Sequence, residues 1–161
     1  MKVIRNLEIT AEEFFNTIFD ELIEEIFKMD KKKFERSDFK TGFQYVHSAE
    51  NPYTRADYEI VEYQEDKFYK CMRTTINGVT TLSYEVEPTE TGISVTFIQE
   101  NVLRKENKKQ IKLFALISEI SNLGRMTDKL YAIQRRVQNE KEGFIEKKSN
   151  NPFVPDIRKP N

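Results

Sequence analysis

The chain has one cysteine, one histidine and no tryptophan in 161 residues. A single cysteine, Cys71, excludes an internal disulfide framework and a thiolate metal cage, and a single histidine, His47, excludes a His-rich zinc site. No metal is therefore expected. No run approaches the roughly 20 apolar residues of a spanning helix. The start, Met1-Lys-Val-Ile-Arg, turns polar within a few residues and lacks the apolar core of a signal peptide. A cytoplasmic location is expected. Neither charge sign is in excess: 26 Lys plus Arg against 27 Asp plus Glu leave a net charge of -1. Such a molecule has no global field to steer a polyanion, so nucleic acid is not an expected partner. The sequence also lacks a phosphate-binding loop and a nucleophile-base-acid triad, so no catalytic residue and no cofactor are assigned, and the reading leans away from an enzyme.

What the chain does have is 38% hydrophobic residues, 33% charged residues, 12 Phe and 7 Tyr. That is the composition of a soluble globular protein, and the length suits one core. Residues 2 to 9 alternate, with Val3, Leu7 and Ile9 on one side, as in a short strand. Thr10-Ala-Glu-Glu13 is a capping box, and Phe14, Phe15, Ile18, Phe19, Leu22, Ile23, Ile26 and Phe27 follow at helical spacing. Residues 29 to 41 lose the period and read as a connection with at most one helical turn.

From residue 42 the period becomes two. Asn77-Gly78 predicts a type I′ hairpin turn, which pairs Ile76 with Val79, Arg73 with Leu82, Cys71 with Tyr84 and Tyr69 with Val86. A turn at Glu65-Asp66 pairs Tyr63 with Phe68 and sets Tyr58 and Ile60 beside Arg73 and Cys71. A turn at Pro88-Thr-Glu-Thr91 sets Ile93, Val95 and Phe97 opposite Val86, Tyr84 and Leu82. All three turns place the apolar residues on one surface, and a one-residue slip would invert them. Phe43, Tyr45 and His47 alternate as a further strand. Asn107-Lys-Lys-Gln110 is a second capping box, opening a helix through Ile111, Phe114, Ile117, Ile120, Leu123, Thr127, Leu130, Gln134 and Val137, with Gly143 as its expected C-cap. Residues 1–143 are read as one domain. Residues 144–161, with Pro152, Pro155 and Pro160, are read as a flexible tail.

The expected fold class is α+β: about six antiparallel strands in a curved sheet, an N-terminal helix, and a long C-terminal helix across the concave face. This order resembles the helix-grip superfamily of the birch-pollen allergen and the START-related lipid-transfer domains. The wording from Met1-Lys-Val-Ile-Arg-Asn-Leu-Glu-Ile-Thr-Ala-Glu-Glu-Phe-Phe to the Glu-Asn-Val ending at Val102 resembles the bacterial domain-of-unknown-function family numbered 3284. That resemblance implies a cytoplasmic bacterial protein and carries no catalytic residues. The superfamily implies a cavity between sheet and helix that often holds a hydrophobic small molecule, although some members bind proteins or catalyse cyclisation.

Arg73 is the most informative inward position. A charge on an apolar face must meet a carboxylate such as Glu62, reach solvent near a sheet edge, or anchor a ligand. Tyr45, Tyr58, Tyr69 and Tyr84 also project inward, where hydroxyls need partners or must reach the rim. With Arg73 and Phe97 they form the candidate ligand-binding set. Cys71 is read as a small inward hydrophobe and His47 as a strand histidine with no carboxylate assignable beside it. Gly124 costs the long helix about 1 kcal/mol relative to alanine. It is read as a point of close approach to the sheet or as an opening above a cavity. Two functions lead for this pattern, with an enzyme on the same scaffold as the weaker third: non-catalytic binding of a hydrophobic or amphipathic small molecule, or an interaction module with a filled core. The second would use the sheet edge, the basic C-terminal helix or the tail to meet a protein partner.

Overall fold

The computed structural model describes residues 1–47, 55–103 and 111–149, with side chains except at 103–123 and 144–149. Strand β1 (Lys2–Leu7) leads into helix α1 (Ala11–Asp30), then a 3-10 turn at Arg36–Asp38. Strands β2 (Gln44–His47), β3 (Ala56–Gln64), β4 (Phe68–Thr75), β5 (Gly78–Pro88) and β6 (Ile93–Leu103) come next, and helix α2 (Ile111–Ser149) ends the described chain. The six strands form one antiparallel sheet in the order β1-β6-β5-β4-β3-β2. The meander is therefore closed at one side by the first strand, which pairs with the last.

Helix α1 begins as its sequence dictates. The Thr10 hydroxyl accepts the Glu13 amide at 3.2 Å, and the Glu13 carboxylate accepts the Thr10 amide at 2.9 Å. Phe14, Phe15, Phe19 and Ile26 are buried from this helix, whereas Phe27 is exposed. The capping box expected at Asn107–Gln110 lies outside the described residues. Helix α2 does not stop at Gly143 but runs through it to Ser149.

Two hairpins differ in register from the expected pairing. Between β4 and β5 the loop is Ile76-Asn77, because Thr75 pairs with Gly78. Neither Ile76 nor Asn77 adopts positive φ, so this is not the type I′ turn. Cys71 consequently lies opposite Leu82 and Tyr69 opposite Tyr84. Between β5 and β6, Pro88 pairs with Ile93 and Val86 with Val95. Both corrections are slips of two residues, which change cross-strand partners yet leave every side chain on its expected face.

Between β3 and β4 the expected pairs Tyr58 with Arg73 and Ile60 with Cys71 are present. The register then shifts between Ile60 and Glu62, so that Glu62 pairs with Lys70 and Tyr63 with Tyr69. Val61 is the extra residue of a bulge. Its physical effect is an exchange: Tyr63 turns inward onto Phe15 and Phe19, with ring centroids at 6.0 and 5.2 Å, in place of Glu62. The turn after β3 places Asp66 at φ 56°, and the Lys67 amide donates to the Gln64 carbonyl at 3.1 Å.

Both helices lie against the inner surface of the sheet. Ring contacts Phe14–Tyr84 (5.6 Å) and Phe19–Tyr69 (5.8 Å) seat α1 across β4 and β5. Met126, Leu130, Ile133 and Val137 of α2 join the same core. Polar ties hold this part of α2 to β1 and α1: Arg5 donates to the Thr127 hydroxyl at 3.1 Å, the Glu8 amide to Gln134 Oε1 at 2.9 Å, and Lys141 Nζ pairs with Glu13 at 2.8 Å.

Candidate ligand cavity

A cavity of about 200 Å³ lies between the inner surface of β2–β5 and helix α1. Tyr45 and Tyr58 form one wall as cross-strand partners, their rings stacked with centroids 6.0 Å apart. Tyr69, Cys71, Leu82 and Tyr84 form the floor. Among the described residues the roof is largely α1, and α2 contributes only Lys129 to the lining. The cover expected from the C-terminal helix is thus shared with the first helix, whose Phe and Ile stripe is wide enough to reach the sheet.

Of the six sequence-predicted site residues, Tyr45, Tyr58, Tyr69 and Tyr84 are brought together in this lining. Phe97 is 2% exposed and packs on Tyr84 at 5.1 Å, within the core and outside the lining. Arg73 is exposed and also outside the lining, with its guanidinium over the Tyr58 ring at 5.8 Å. It makes no pair with Glu62, whose carboxylate accepts from Gln64 Nε2 at 2.7 Å. The bulge at Val61 is the reason, since it carries Glu62 off the inner face. Sequence reading missed Glu21 and Glu25 of α1, which line the cavity although they belong to the charged side of the helix pattern.

The electrostatics derive from burial. Loss of water pushes the Tyr69 and Tyr84 phenols far above their ordinary range. Neighbouring Cys71 adds to both, and Glu21 adds at Tyr84. Burial likewise raises the Cys71 thiol, partly offset by its hydrogen bond with Tyr69. Both tyrosines and the thiol therefore stand neutral around the cavity at pH 7. The Tyr45 hydroxyl is buried and meets no hydrogen-bond partner among the described residues.

Two other features of the molecule are less suited to a ligand. A wider groove of about 910 Å³ opens where the β3–β4 and β5–β6 turns meet the start of α1. Glu8, Glu13, Glu62, Glu85 and Glu87 line it, and it lacks the aromatic enclosure that orients a small ligand. His47 Nδ1 lies 3.1 and 3.0 Å from the two Asp30 oxygens, a carboxylate that sequence separation hid. The pair ties the end of α1 to edge strand β2 and does not line the cavity. Among the described residues no group of three or more His, Cys, Asp or Glu side chains could hold a metal ion, and no helix is long and apolar enough to cross a membrane.

Residues 1–118 match the family model described as Domain of unknown function (DUF3284). The chain belongs to that family. No curated protein matches this DUF3284 sequence. Its fold is similar to that of the Polyketide_cyc-like protein Cgl2372 from Corynebacterium glutamicum, at 18% identity and a TM-score of 0.58 over 89% of this chain and 93% of that one. It is also similar to Ara h 8.0201, at 11% identity and TM-score 0.57 over 86% and 97% of the two chains. The Aha1 dimer from Colwellia psychrerythraea is a third, at 9% and 0.54 over 85% and 94%. At such identities the likeness concerns the fold, and with the sheet and helices above it makes this DUF3284 chain a helix-grip protein.

Proposed function

We propose that the protein is a non-catalytic binding module for a hydrophobic or amphipathic small molecule held between the sheet and its helices. The observation that carries this reading is the tyrosine-lined cavity of about 200 Å³. A well-packed core has no reason to retain such a volume, since each void forfeits dispersion contacts along its lining. The volume lies between the ~150 Å³ that admits one benzene ring and the ~300 Å³ lower end of drug-sized pockets. Tyr45, Tyr58, Tyr69 and Tyr84 supply ring faces, and Glu21, Glu25 and Lys129 supply polar groups, the mixture that binds and orients a ligand. The same reading sets the protein in the bacterial cytoplasm, on the weight of its sequence resemblance.

The test is native mass spectrometry of protein purified from its own host, compared with the denatured sample. The expected result is a stoichiometric adduct that a Leu82→Phe variant, with the cavity partly filled, no longer carries. An adduct that persists unchanged in the filled variant would place the ligand elsewhere. A clean apo mass, with no binding of single-ring compounds at millimolar concentration, would count against the cavity reading itself.

A further inference from the structure

The wide groove at the end of the sheet suits an extended chain segment better than a small ligand, and it stands apart from the tyrosine-lined cavity. Its volume is about 910 Å³, and Ile9, Ala11, Phe68, Val86, Pro88 and Ile93 supply its apolar lining. Among the described residues its rim holds the carboxylates of Glu8, Glu13, Glu62, Asp66, Glu85 and Glu87 against Lys67 and Lys141. Lys141 is already paired with Glu13, which leaves Lys67 as the one described ammonium for the other carboxylates.

The path of α2 decides which part of the chain arrives there. Its ties to Arg5, Glu8 and Glu13 come from Thr127, Gln134 and Lys141, successively about two helical turns apart. Helix α2 therefore runs along β1 toward the groove and reaches it at Lys141. The segments 48–54 and 104–110 attach elsewhere. His47, Ala56, Thr75, Gly78 and Leu103 form one row across the opposite end of the sheet, and the length of β6 sets that row about 30 Å from Ile93. The chain that continues past the groove is thus the last part of α2, to Ser149, and then Asn150-Asn-Pro-Phe-Val-Pro-Asp-Ile-Arg-Lys-Pro-Asn161. Ser149 stands about 12 Å of helix beyond Lys141, and the residues after it span about 40 Å when extended. About four of them suffice to return to the groove, which leaves Val154, Ile157, Arg158 and Lys159 to lie along it. Pro152, Pro155 and Pro160 disfavour a helix and suit an extended fit.

We propose that residues 150–161 fold back from the end of α2 and occupy this groove, Val154 and Ile157 on its apolar lining and Arg158 and Lys159 against its carboxylates. Apolar groups and charges match in one short stretch, and tethering keeps that stretch at a high effective concentration beside its seat. While the tail lies there, the groove is closed to any other extended basic segment.

The test places a nitroxide on Asn161→Cys in the full chain and follows the backbone amide signals by NMR. Cys71, buried with a raised thiol, is spared by the label. Amides of Glu8–Thr10, Gln64–Phe68 and Glu87–Gly92 are expected to lose intensity about fivefold relative to the reduced label, whereas Ile76 and Asn77 at the opposite end of the sheet stay within about twofold. Reversing the charges, in Arg158→Glu with Lys159→Glu, is expected to abolish most of the loss at the groove. No loss there, or a loss spread evenly over the surface, overturns the proposal. A loss that survives the charge reversal overturns the pairing with the carboxylates. Isotope-labelled chain without nitroxide, mixed with unlabelled chain that carries it, is expected to show no loss. A loss in that mixture overturns the intramolecular seat and assigns the groove to the tail of a second copy.

Discussion

Two glycines illustrate how little a residue's type says without its surroundings. At Gly92 an added Cβ would stand 2.1 Å from the Leu7 carbonyl oxygen, which is backbone and cannot swing aside. Gly92→Ala is expected to cost about 2–3 kcal/mol, seen as a lower chemical-denaturation midpoint at unchanged slope. Gly124 is the opposite case: its Cβ would meet nothing within 4 Å, and the residue is exposed. It is neither a close approach to the sheet nor part of the cavity lining. Gly124→Ala should stabilise the protein by about 0.5–1 kcal/mol in the same measurement, from helix propensity alone. Cys71, buried with a raised thiol, should react negligibly with a thiol reagent at pH 8 until denaturant opens the fold.

At the scale of elements, α1 is secured at its start by its own cap and by α2. Replacing Thr10 with alanine removes the acceptor of the Glu13 amide and should cost about 1 kcal/mol. Glu13 has a second task. Burial works to raise its carboxyl, but the hydrogen bonds from Lys141 and the Thr10 amide prevail and hold it below its ordinary value of 4.5. A depressed folded value contributes stability that is present above the unfolded value and lost as pH falls through the folded one. Stability is thus expected to decline below about pH 4.5, and Glu13→Gln should flatten that decline in acid titrations followed by circular dichroism. The β3 bulge works at the same scale. One extra residue turns a carboxylate out and a tyrosine ring in, and with it removes the internal partner that the alternating pattern assigned to Arg73.

For the whole molecule, the sheet and both helices close over an interior rich in phenol groups. Tyr63, Tyr69 and Tyr84 all have values raised first by burial. A raised acid keeps its contribution below the unfolded value, 10.0, and loses it as pH rises beyond, because only the unfolded chain then ionises readily. The stability is expected to fall above about pH 10 by roughly 1.4 kcal/mol per pH unit for each of the deeply buried Tyr69 and Tyr84, with half-buried Tyr63 adding less. Urea denaturation at pH 9, 10 and 11 measures it. A flat profile would mean that these phenols reach water in the native state.

The local signals in the chain were sufficient for the elements, the capping of α1, the antiparallel order and the inner face of the sheet. Each depends on short-range chemistry: a 3.6 or 2.0 periodicity, a hydroxyl three residues from a carboxylate, turn residues between alternating runs. Face survives an error of two residues in register, so Tyr45, Tyr58, Tyr69 and Tyr84 were legible as inward residues although the hairpin pairings were not. Tertiary structure alone decided which strand partners meet, that Val61 bulges, that α1 shares the roof with α2, and that Arg73 and Phe97 stand outside the lining. It alone set Asp30 beside His47 and left the Tyr45 hydroxyl without a protein partner among the described residues. Those outcomes depend on how separate elements pack, and packing is a property of three-dimensional contacts that no local period encodes.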